Sequence, residues 1–348
     1  MSTRVRTPVF FNALQLEFKP RYEWAFGEKI AHPETTARAE SILTAVAEAH
    51  EDFELREPSK IPAGALRGLH SLQLLNLYAT AEQIPEDTDF YPTVFPKLKR
   101  GEGDPNNIRQ AGAFCFDSGT PLNAKTLSAA TWSAACARSA ATSLRKGAKL
   151  AYALSRPPGH HAQRDLFGGY CYFNNSGVAA KVLRRAGRVV VLDIDFHHGN
   201  GTQSLFLRDD KVLTISLHGD PREYFPFFCG FASEVGEAKG RGYNMNLVLE
   251  SKIDGAHYIK ALEAHAVPAI EAFEPDYLVL AAGLDAYERD PIGDFKLSTE
   301  DFFRVGERIG SLGIPVAAIQ EGGYFTEHLG RNAVALLRGL RAGLGLAD

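Results

Sequence analysis

Residues 189–201, which read VVVLDIDFHHGNG, constrain the fold of this chain more than any other stretch. The apolar first half is typical of a strand in a parallel sheet that is buried on both faces. Side chains alternate along a strand, so Asp193, Asp195 and His197 would project to one side if the extended backbone continued. Ligands bind at the carboxyl ends of such strands, and carboxylates with imidazoles suit Zn²⁺. The stretch therefore predicts half of a metal site.

The composition excludes several classes of protein. The chain has 348 residues, of which 45% are hydrophobic and 23% charged, which is ordinary for a globular protein. The formal net charge of −4 gives no reason to expect a nucleic-acid partner. Four scattered cysteines without a Cys-x-x-Cys pair predict reduced thiols in a cytoplasmic protein. We find neither a signal peptide nor an apolar run near the ~20 residues of a membrane helix, so no membrane association is expected.

Helical and strand patterns alternate along most of the chain. We expect helices at 36–50, 66–81, 128–146, 174–186, 253–273, 299–312 and 329–340. We expect strands at 149–154, from 189, at 211–217, at 277–282 and at 315–319. Residues 1–30 look irregular, and no linker divides the chain. The sequence therefore predicts a single α/β domain over 1–348, with a mainly parallel sheet and helices on both faces.

Residues 82–122 form a long insert with five prolines and little periodicity. A segment of this length without regular structure is usually functional or part of an interface, although a mobile surface loop is the simpler alternative. The insert is rich in aromatic residues, which are enriched at protein interfaces. We therefore expect it to lie across a second copy of the chain in a homodimer.

Four of the predicted strands end in polar, glycine-rich turns. The side chains that follow them are His160 and His161, then Asp193, Asp195 and His197, then Asp285, and finally Tyr324. Any one of these residues could be a helix cap or a satisfied core residue. Because the carboxyl ends of parallel strands meet at one edge of a sheet, four such endings in one chain favour an active site.

Three of these side chains have the chemistry of metal ligands. Asp195, His197 and Asp285 would hold one ion and leave a position open for water and substrate. Such an ion lowers the pKa of water and polarises a carbonyl group. The set therefore predicts metal-assisted hydrolysis of an amide.

The other side chains suit proton transfer and charge stabilisation. His160 and His161 have pKa values near neutrality in ordinary surroundings and are candidate acid/base groups. Asp193 could orient one of them and Asn200 the other, by accepting the second ring N–H. Tyr324, on a Gly-Gly turn, could donate to an oxyanion.

Five motifs resemble those of the histone deacetylase superfamily, and within it the bacterial acetylpolyamine amidohydrolases. They are RPPGHH at 156–161, GYCYFNN at 169–175, DIDFHHGNGTQ at 193–203, SLHGD at 216–220 and EGGY at 321–324. The resemblance covers roughly residues 30–340. It implies the arginase–deacetylase fold, one Zn²⁺ per chain, and removal of an acetyl or short acyl group from a small N-acetylated amine.

The resemblance also implies roles for individual residues. His161 would be the general base and then the acid, His160 its electrostatic partner, and Tyr324 the oxyanion donor. The residues implied to contact substrate or product are Gly169 through its carbonyl, Tyr170 and Phe225 as tunnel walls, Ile292 near the mouth, Glu23 as an acid facing a cationic tail, and Arg38 beneath the metal. Structural K⁺ or Na⁺ is implied at the main chain of Asp193, Asp195 and His197 with Ser216 and Leu217, and near Phe206 and Val212.

The sequence departs from the resembling enzymes at two positions and leaves other functions open. Ile108 and Gly119 stand where two further acids are expected, which favours short or less charged acylated amines. A protein lysine deacetylase is the main alternative. An arginase-like enzyme with two Mn²⁺ would need acids where Asn200 and Tyr287 stand. A non-catalytic sensor of acylated amines would have no need of acid/base groups.

Overall fold

A parallel sheet of eight strands lies at the centre of the structure, a computed structural model that describes residues 5–25, 27–62, 64–96 and 102–347. In chain order the strands are β1 Thr7–Phe10, β2 Tyr22–Ala25, β3 Glu28–Ala31, β4 Phe53–Arg56, β5 Leu150–Ala153, β6 Val189–Asp193, β7 Val212–Gly219, β8 Asn244–Leu249, β9 Tyr277–Ala282 and β10 Val316–Gln320. The central sheet has the order β4-β1-β5-β10-β9-β6-β7-β8, while β2 and β3 form a separate antiparallel hairpin. The predicted parallel sheet is confirmed.

Helices cover both faces of this sheet. They are α1 Thr36–Glu48, α2 Leu72–Ala81, α3 Thr126–Arg145, α4 Asn175–Leu183, α5 Asn200–Phe206, α6 Gly255–Ala261, α7 Val267–Phe273, α8 Thr299–Gly310 and α9 Thr326–Gly343. None of the helices in the described ranges is both long and apolar enough to cross a membrane.

The first four residues of strand β6 are apolar because both faces of the strand are buried. Val190 and Leu192 point into a core that also contains residues of α1, α8 and α9. Val189 and Val191 point into the opposite core, with residues of α2, α3 and α4. All four side chains are at most 1% exposed. Burial of alternate residues on opposite faces requires a continuous apolar run, as the sequence predicts.

Several expectations about individual elements are wrong. Residues 1–30 are not irregular, since they hold β1, β2 and most of β3, and β4 and β8 also went unpredicted. β2 and β3 lie outside the central sheet, β4 and β8 are its edge strands, and β1 is a short strand next to β4. None of these positions requires the long apolar run of a central strand. The helix expected at 66–81 begins only after Ser71, whose side chain accepts the N–H of Leu74. The helix expected at 253–273 contains a π-helical stretch at Leu262–Ala266.

The long insert packs against the rest of its own chain. Its described parts, 82–96 and 102–122, contain one short 3₁₀ helix at Ile108–Ala113 and are otherwise irregular. Phe90 pairs with Leu122 across the two ends of the insert, and Cys115 pairs with Phe167. The ring of Tyr91 stacks on Tyr22 of β2 with centroids 4.4 Å apart. These contacts join the insert to the hairpin and to the loop that follows β5.

Candidate active site

The site lies at the carboxyl edge of the sheet, where four neighbouring strands end. β5, β10, β9 and β6 are adjacent at the centre of the sheet, although they are far apart in sequence. The loops that follow them carry His161, Tyr324, Asp285 and Asp195 respectively. The strand order therefore brings together the four groups that the sequence places at strand ends.

Asp195, His197 and Asp285 form a buried cluster whose potential ligand atoms all lie within 4.8 Å of one another. His197 Nδ1 is 3.0 Å from Asp285 Oδ2 and 3.4 Å from Asp195 Oδ1. Both aspartates are fully buried, and His197 is 8% exposed. The residues that the sequence predicts as ligands thus meet at one point.

Strand alternation is not what brings these ligands together. β6 ends at Asp193, and the chain then turns, so the expectation of three side chains on one side of an extended strand is wrong. The turn is held by backbone donors. Phe196 N–H donates to Asp285 Oδ1 at 2.8 Å, and Gly322 N–H donates to Asp195 Oδ2 at 2.8 Å. Asp193 is left to contact a different partner.

The electrostatics of this cluster suit a divalent cation. Burial and the neighbouring charge of Asp195 raise the pKa of Asp285 to about 7. Burial alone would lower the pKa of His197, but its contacts with Asp195 and Asp285 raise it to about 9. Two buried carboxylates in contact are costly unless a positive charge lies between them. Two carboxylate oxygens and one imidazole nitrogen are also ligands that Zn²⁺ accepts. The residues present therefore fit the metal that the motifs imply.

Two adjacent histidines, whose rings are tilted by 44° to each other, lie beside the cluster, each with its own partner. His160 Nδ1 is 3.0 Å from Asp193 Oδ2, and His161 Nδ1 is 2.6 Å from Asn200 Oδ1. The ring centroids are 4.0 Å apart. Burial opposes protonation of both rings, but the charges of Asp195 and Asp193 raise the pKa of His160 well above its ordinary value. Burial and the charge of His160 lower the pKa of His161. The surroundings therefore favour the protonated form of His160 over that of His161, and pKa values pushed apart in this way are typical of acid/base pairs.

His160 also belongs to a second group of potential ligand residues, together with Cys171 and Glu321. Both oxygens of Glu321 already accept hydrogen bonds. Oε2 accepts the N–H groups of Gly159 and His160 at 2.6 and 2.9 Å, and Oε1 accepts the hydroxyl of Ser176 at 2.7 Å. This carboxylate thus fixes the loop that carries the histidine pair, a function the sequence did not reveal.

Tyr324 approaches the cluster from the loop after β10. The guanidinium of Arg38 lies 4.6 Å from the centre of its ring. Arg38 is itself buried, where its Nε donates to the carbonyl of Gly323 at 2.6 Å and its Nη1 donates to Glu34 at 2.9 Å. Burial raises the pKa of Tyr324, so its hydroxyl stays protonated and can donate a hydrogen bond.

Aromatic rings border the approach to these groups. The ring centroids of Phe225 and His161 are 4.9 Å apart, and those of Tyr170 and Tyr324 are 5.9 Å apart. Gly169 has a left-handed φ of +57°, and a Cβ there would lie 2.2 Å from His161 Cδ2. Only glycine fits this close approach of the backbone to the imidazole. Its position brings the peptide at residue 169 next to the histidine pair.

Glu23 of β2 and Asp117 of the insert accept hydrogen bonds from different kinds of donor, a tyrosine hydroxyl in one case and backbone N–H groups in the other. Glu23 Oε2 accepts the hydroxyl of Tyr170 at 2.7 Å, and burial raises the pKa of Glu23. A Cβ at Gly119 would lie 2.8 Å from the same carboxylate. Asp117, for which the sequence suggested no role, accepts the N–H groups of Gly169, Gly119 and Thr120. Its only sequence signal is the DSGT turn at 117–120, which is typical of an aspartate that bonds to nearby backbone.

The remaining predicted residues lie nearby but are less closely tied to the cluster. Ile292 is half-buried in the loop after β9, and its N–H donates to Asp290 at 3.0 Å. Phe116, which the sequence did not single out, stacks on Phe225 with centroids 5.8 Å apart. For the expected monovalent cations, Ser216 and Leu217 lie in β7 next to Asp193, while Phe206 and Val212 lie at the end of α5 and the start of β7.

The chain matches the model of the histone deacetylase domain over residues 32–340. It is 40% identical over 326 residues to acetylpolyamine amidohydrolase 2 of Pseudomonas aeruginosa, which covers 92% of this chain and 94% of that protein. A crystal structure of an acetylpolyamine aminohydrolase from Burkholderia pseudomallei superposes with a TM-score of 0.90 at 34% identity, covering 97% and 99% of the two chains. Histone deacetylase 8 of Arabidopsis thaliana is 38% identical over 202 residues, which is 55% of this chain and 54% of that protein. The expected arginase–deacetylase fold is confirmed by the structural match, and the chain belongs to the histone deacetylase family.

Proposed function

We propose that this protein removes the acetyl or short acyl group of a small N-acetylated amine, such as an acetylpolyamine or acetyldiamine, with one Zn²⁺ per chain. The observation that carries the proposal is the geometry of the histidine pair, in which His160 contacts Asp193, His161 contacts Asn200, and both rings lie beside the three-ligand cluster. A binding protein has no use for two oriented acid/base groups next to a metal site. Relatives named acetylpolyamine amidohydrolases also match nearly the whole chain, which supports the reaction class.

The proposed chemistry divides between the metal and the side chains around it. Zn²⁺ held by Asp195, His197 and Asp285 would activate a water molecule and polarise the acyl carbonyl. His161 is neutral and hydrogen-bonded to Asn200, so its free Nε2 can take a proton from the attacking water. The same imidazole can then return that proton to the departing amine nitrogen.

Other side chains stabilise charge and hold the amide. The positive charge of His160 lies next to the developing negative charge and is itself maintained by Asp193. The Tyr324 hydroxyl is a donor for the oxyanion, a role in which a preorganised hydrogen bond is worth most. The carbonyl of Gly169, beside His161, would accept the substrate amide N–H. Arg38 holds the Gly323 carbonyl and hence the loop that carries Tyr324.

The approach to the site favours slender substrates. Tyr170 and Phe225 border it, and Glu23 supplies one negative charge beside Tyr170. Ile108 and Gly119 supply none, so the attraction for a distant ammonium group rests mainly on Glu23. We therefore propose acylated amines with a short or singly charged tail. Protein lysine deacetylation is the weaker alternative, since the sequence similarity to acetylpolyamine amidohydrolase 2 of Pseudomonas aeruginosa extends over 326 residues and that to histone deacetylase 8 of Arabidopsis thaliana over 202.

We also propose structural K⁺ or Na⁺ at two places. One is the main chain of 193–197 with Ser216 and Leu217, and the other lies near Phe206 and Val212. Carbonyl and hydroxyl oxygens, which suit such hard cations, are the donors that these segments offer. A monovalent cation next to Asp193 would stabilise the turn that follows β6.

The first prediction concerns the metal. Asp195→Ala and Asp285→Ala should each reduce bound zinc from about one ion per chain to near zero, because either change leaves two of the three protein ligands. Zinc per chain is measured by atomic emission after gel filtration. His161→Ala is the matched control and should keep its zinc while losing turnover. Full zinc occupancy in either aspartate variant would contradict the ligand assignment.

The second prediction concerns the oxyanion donor. Tyr324→Phe removes only the hydroxyl, so kcat for acetate release should fall by about 10²–10³-fold while zinc content stays unchanged. Steady-state kinetics with a coupled acetate assay measures the effect. Tyr224→Phe is a suitable control because the hydroxyl of Tyr224 contacts Asp294 and Ser251 instead. A wild-type kcat in Tyr324→Phe would show that Tyr324 has only a packing role.

The third prediction concerns the substrate. In a panel of acetylated diamines, acetylated polyamines and acetyl-lysine peptides, the small amines should give the highest kcat/KM for acetate release. Glu23→Gln should raise KM for a cationic amine by up to about fivefold, since an ion pair with a solvated, flexible ammonium group contributes about 1 kcal/mol or less. A neutral acylated amine serves as the control and should be unaffected. A clear preference for histone-like peptides would overturn the proposed substrate class.

The fourth prediction concerns assembly. We propose that the insert at 82–122 forms the interface of a homodimer and overhangs the entrance of the site. Val94 and Phe95 of this insert and Trp24 of the adjacent hairpin are exposed apolar residues, which supports an interface there. Sedimentation velocity should give the mass of two chains, and Phe95→Asp should shift the equilibrium towards one chain. A wild-type protein that sediments as a monomer at high micromolar concentration would contradict the proposal.

A further inference from the structure

One buried carboxylate outside the metal cluster joins two loops of the site. Asp290, in the loop after β9, is 9% exposed. Its Oδ1 accepts the N–H groups of Ile292 and Gly293 at 3.0 and 3.3 Å. Its Oδ2 accepts those of Tyr324 and Phe325 at 2.7 and 3.2 Å. The two oxygens thus connect the loop after β9 to the loop after β10.

The loop that carries Tyr324 depends on this connection. Gly322 and Gly323 precede Tyr324, and Gly323 has a φ of +120°, so the local backbone has little conformational preference of its own. Arg38 donates a hydrogen bond to the carbonyl of Gly323, which belongs to the peptide unit that precedes the Tyr324 Cα. Asp290 accepts the N–H of that same peptide unit and also the N–H of Phe325, so the peptides on both sides of the Tyr324 Cα are held and the direction of its Cα–Cβ bond follows.

The carboxylate of Asp290 also lies at the N-terminus of a long helix. The N–H groups of Tyr324 and Phe325 lie at the start of α9, an 18-residue helix whose N-terminus carries a partial positive charge. A carboxylate at this end is stabilised by the helix and in turn holds the end of the helix in place. The interaction would therefore keep Tyr324 in one position relative to the sheet edge.

We propose that Asp290 is a positioning residue for the oxyanion donor, which holds the Tyr324 hydroxyl at the distance that catalysis requires. The proposal rests on the function proposed above. The recorded hydrogen bonds of the Asp290 side chain go to backbone N–H groups and not to the three ligand residues, although its charge acts on Asp285 through space, so we expect it to act through Tyr324. Because the same carboxylate holds Ile292, it also sets the distance between the site entrance and the donor.

Asp290→Asn is the informative substitution. The side chain keeps its size, but one oxygen becomes an NH₂ group that faces two N–H donors. Asp290→Asn therefore loses the hydrogen bonds to Ile292 and Gly293 or those to Tyr324 and Phe325. A resulting displacement of the Tyr324 hydroxyl by about 1 Å can reduce the rate about 100-fold. We expect kcat to fall by about 10- to 100-fold, with KM and zinc content unchanged. Asp254→Asn is a matched control, because the Asp254 side chain also accepts a backbone N–H at a helix start, but that N–H belongs to His257 in α6 and not to the loop that carries Tyr324.

A double-mutant cycle separates positioning from general damage. In the Tyr324→Phe background, Asp290→Asn should cause little further loss of kcat, because the hydroxyl that Asp290 positions is already absent. Equal losses in both backgrounds would overturn the proposal. If Asp290→Asn fails to fold, Asp290→Glu, which keeps the charge but misplaces its oxygens, takes its place in the cycle.

Hydrogen exchange provides a readout that does not depend on activity. Exchange of the backbone amides in a peptide covering 320–328 should accelerate in Asp290→Asn, and the peptide around Asp117 should be unchanged. Unchanged exchange at 320–328 would refute the positioning role even in an active enzyme. If the wild-type protein releases acetate from no acylated amine, the proposed function fails, and the exchange result still decides whether Asp290 fixes the Tyr324 loop.

Discussion

Two negative charges share the bottom of the site, and the surrounding structure is arranged to accommodate them. Asp195 and Asp285 are fully buried and belong to one cluster 4.8 Å across. Like charges this close repel strongly in a protein interior. N–H groups of Phe196 and Gly322 point at them and provide part of the compensation. His197 contacts both carboxylates, and these three side chains together would hold a cation that balances the remaining negative charge.

Three further carboxylates, of which those of Glu321 and Asp290 are buried and that of Asp117 is half-buried, hold the loops that carry the reacting groups. Glu321 binds the backbone beside His160, Asp117 binds the backbone of Gly169, and Asp290 binds the loops after β9 and β10. Each accepts at least two backbone N–H groups, and these hydrogen bonds favour the ionised carboxylate while burial raises its pKa. Each acid reaches at least one loop from a distant part of the chain: Glu321 holds Gly159, Asp117 holds Gly169, and Asp290 holds Tyr324. The site is thus fixed by backbone contacts before any substrate binds, which is the condition for electrostatic preorganisation.

The sequence predicted the ligand cluster because its members follow directly after apolar strands. Asp195 and Asp285 lie just beyond runs that can only be buried strands, and such ends meet at one edge of a parallel sheet. The contacts of Asp117 and Asp290 could not be predicted in this way. They depend on how irregular loops fold back on one another, and no periodicity in the sequence records that. The same holds for β1 and β8, which are short or lie at an edge and lack the apolar run of a central strand. The strand order was also hidden, since nothing local indicates that β10 inserts between β5 and β9.

That insertion has a consequence for how the protein is made. The last strand of the chain occupies the middle of the sheet, so during synthesis β5 and β9 each wait for a neighbour. Before β10 emerges from the ribosome, the chain can form only two sheet fragments, each with an unpaired inner edge. Open edges of this kind pair readily with other chains. His160 and Asp195 then stand on separate fragments, and the nascent protein acquires its reactive centre in a single late step, when one short segment closes both edges at once.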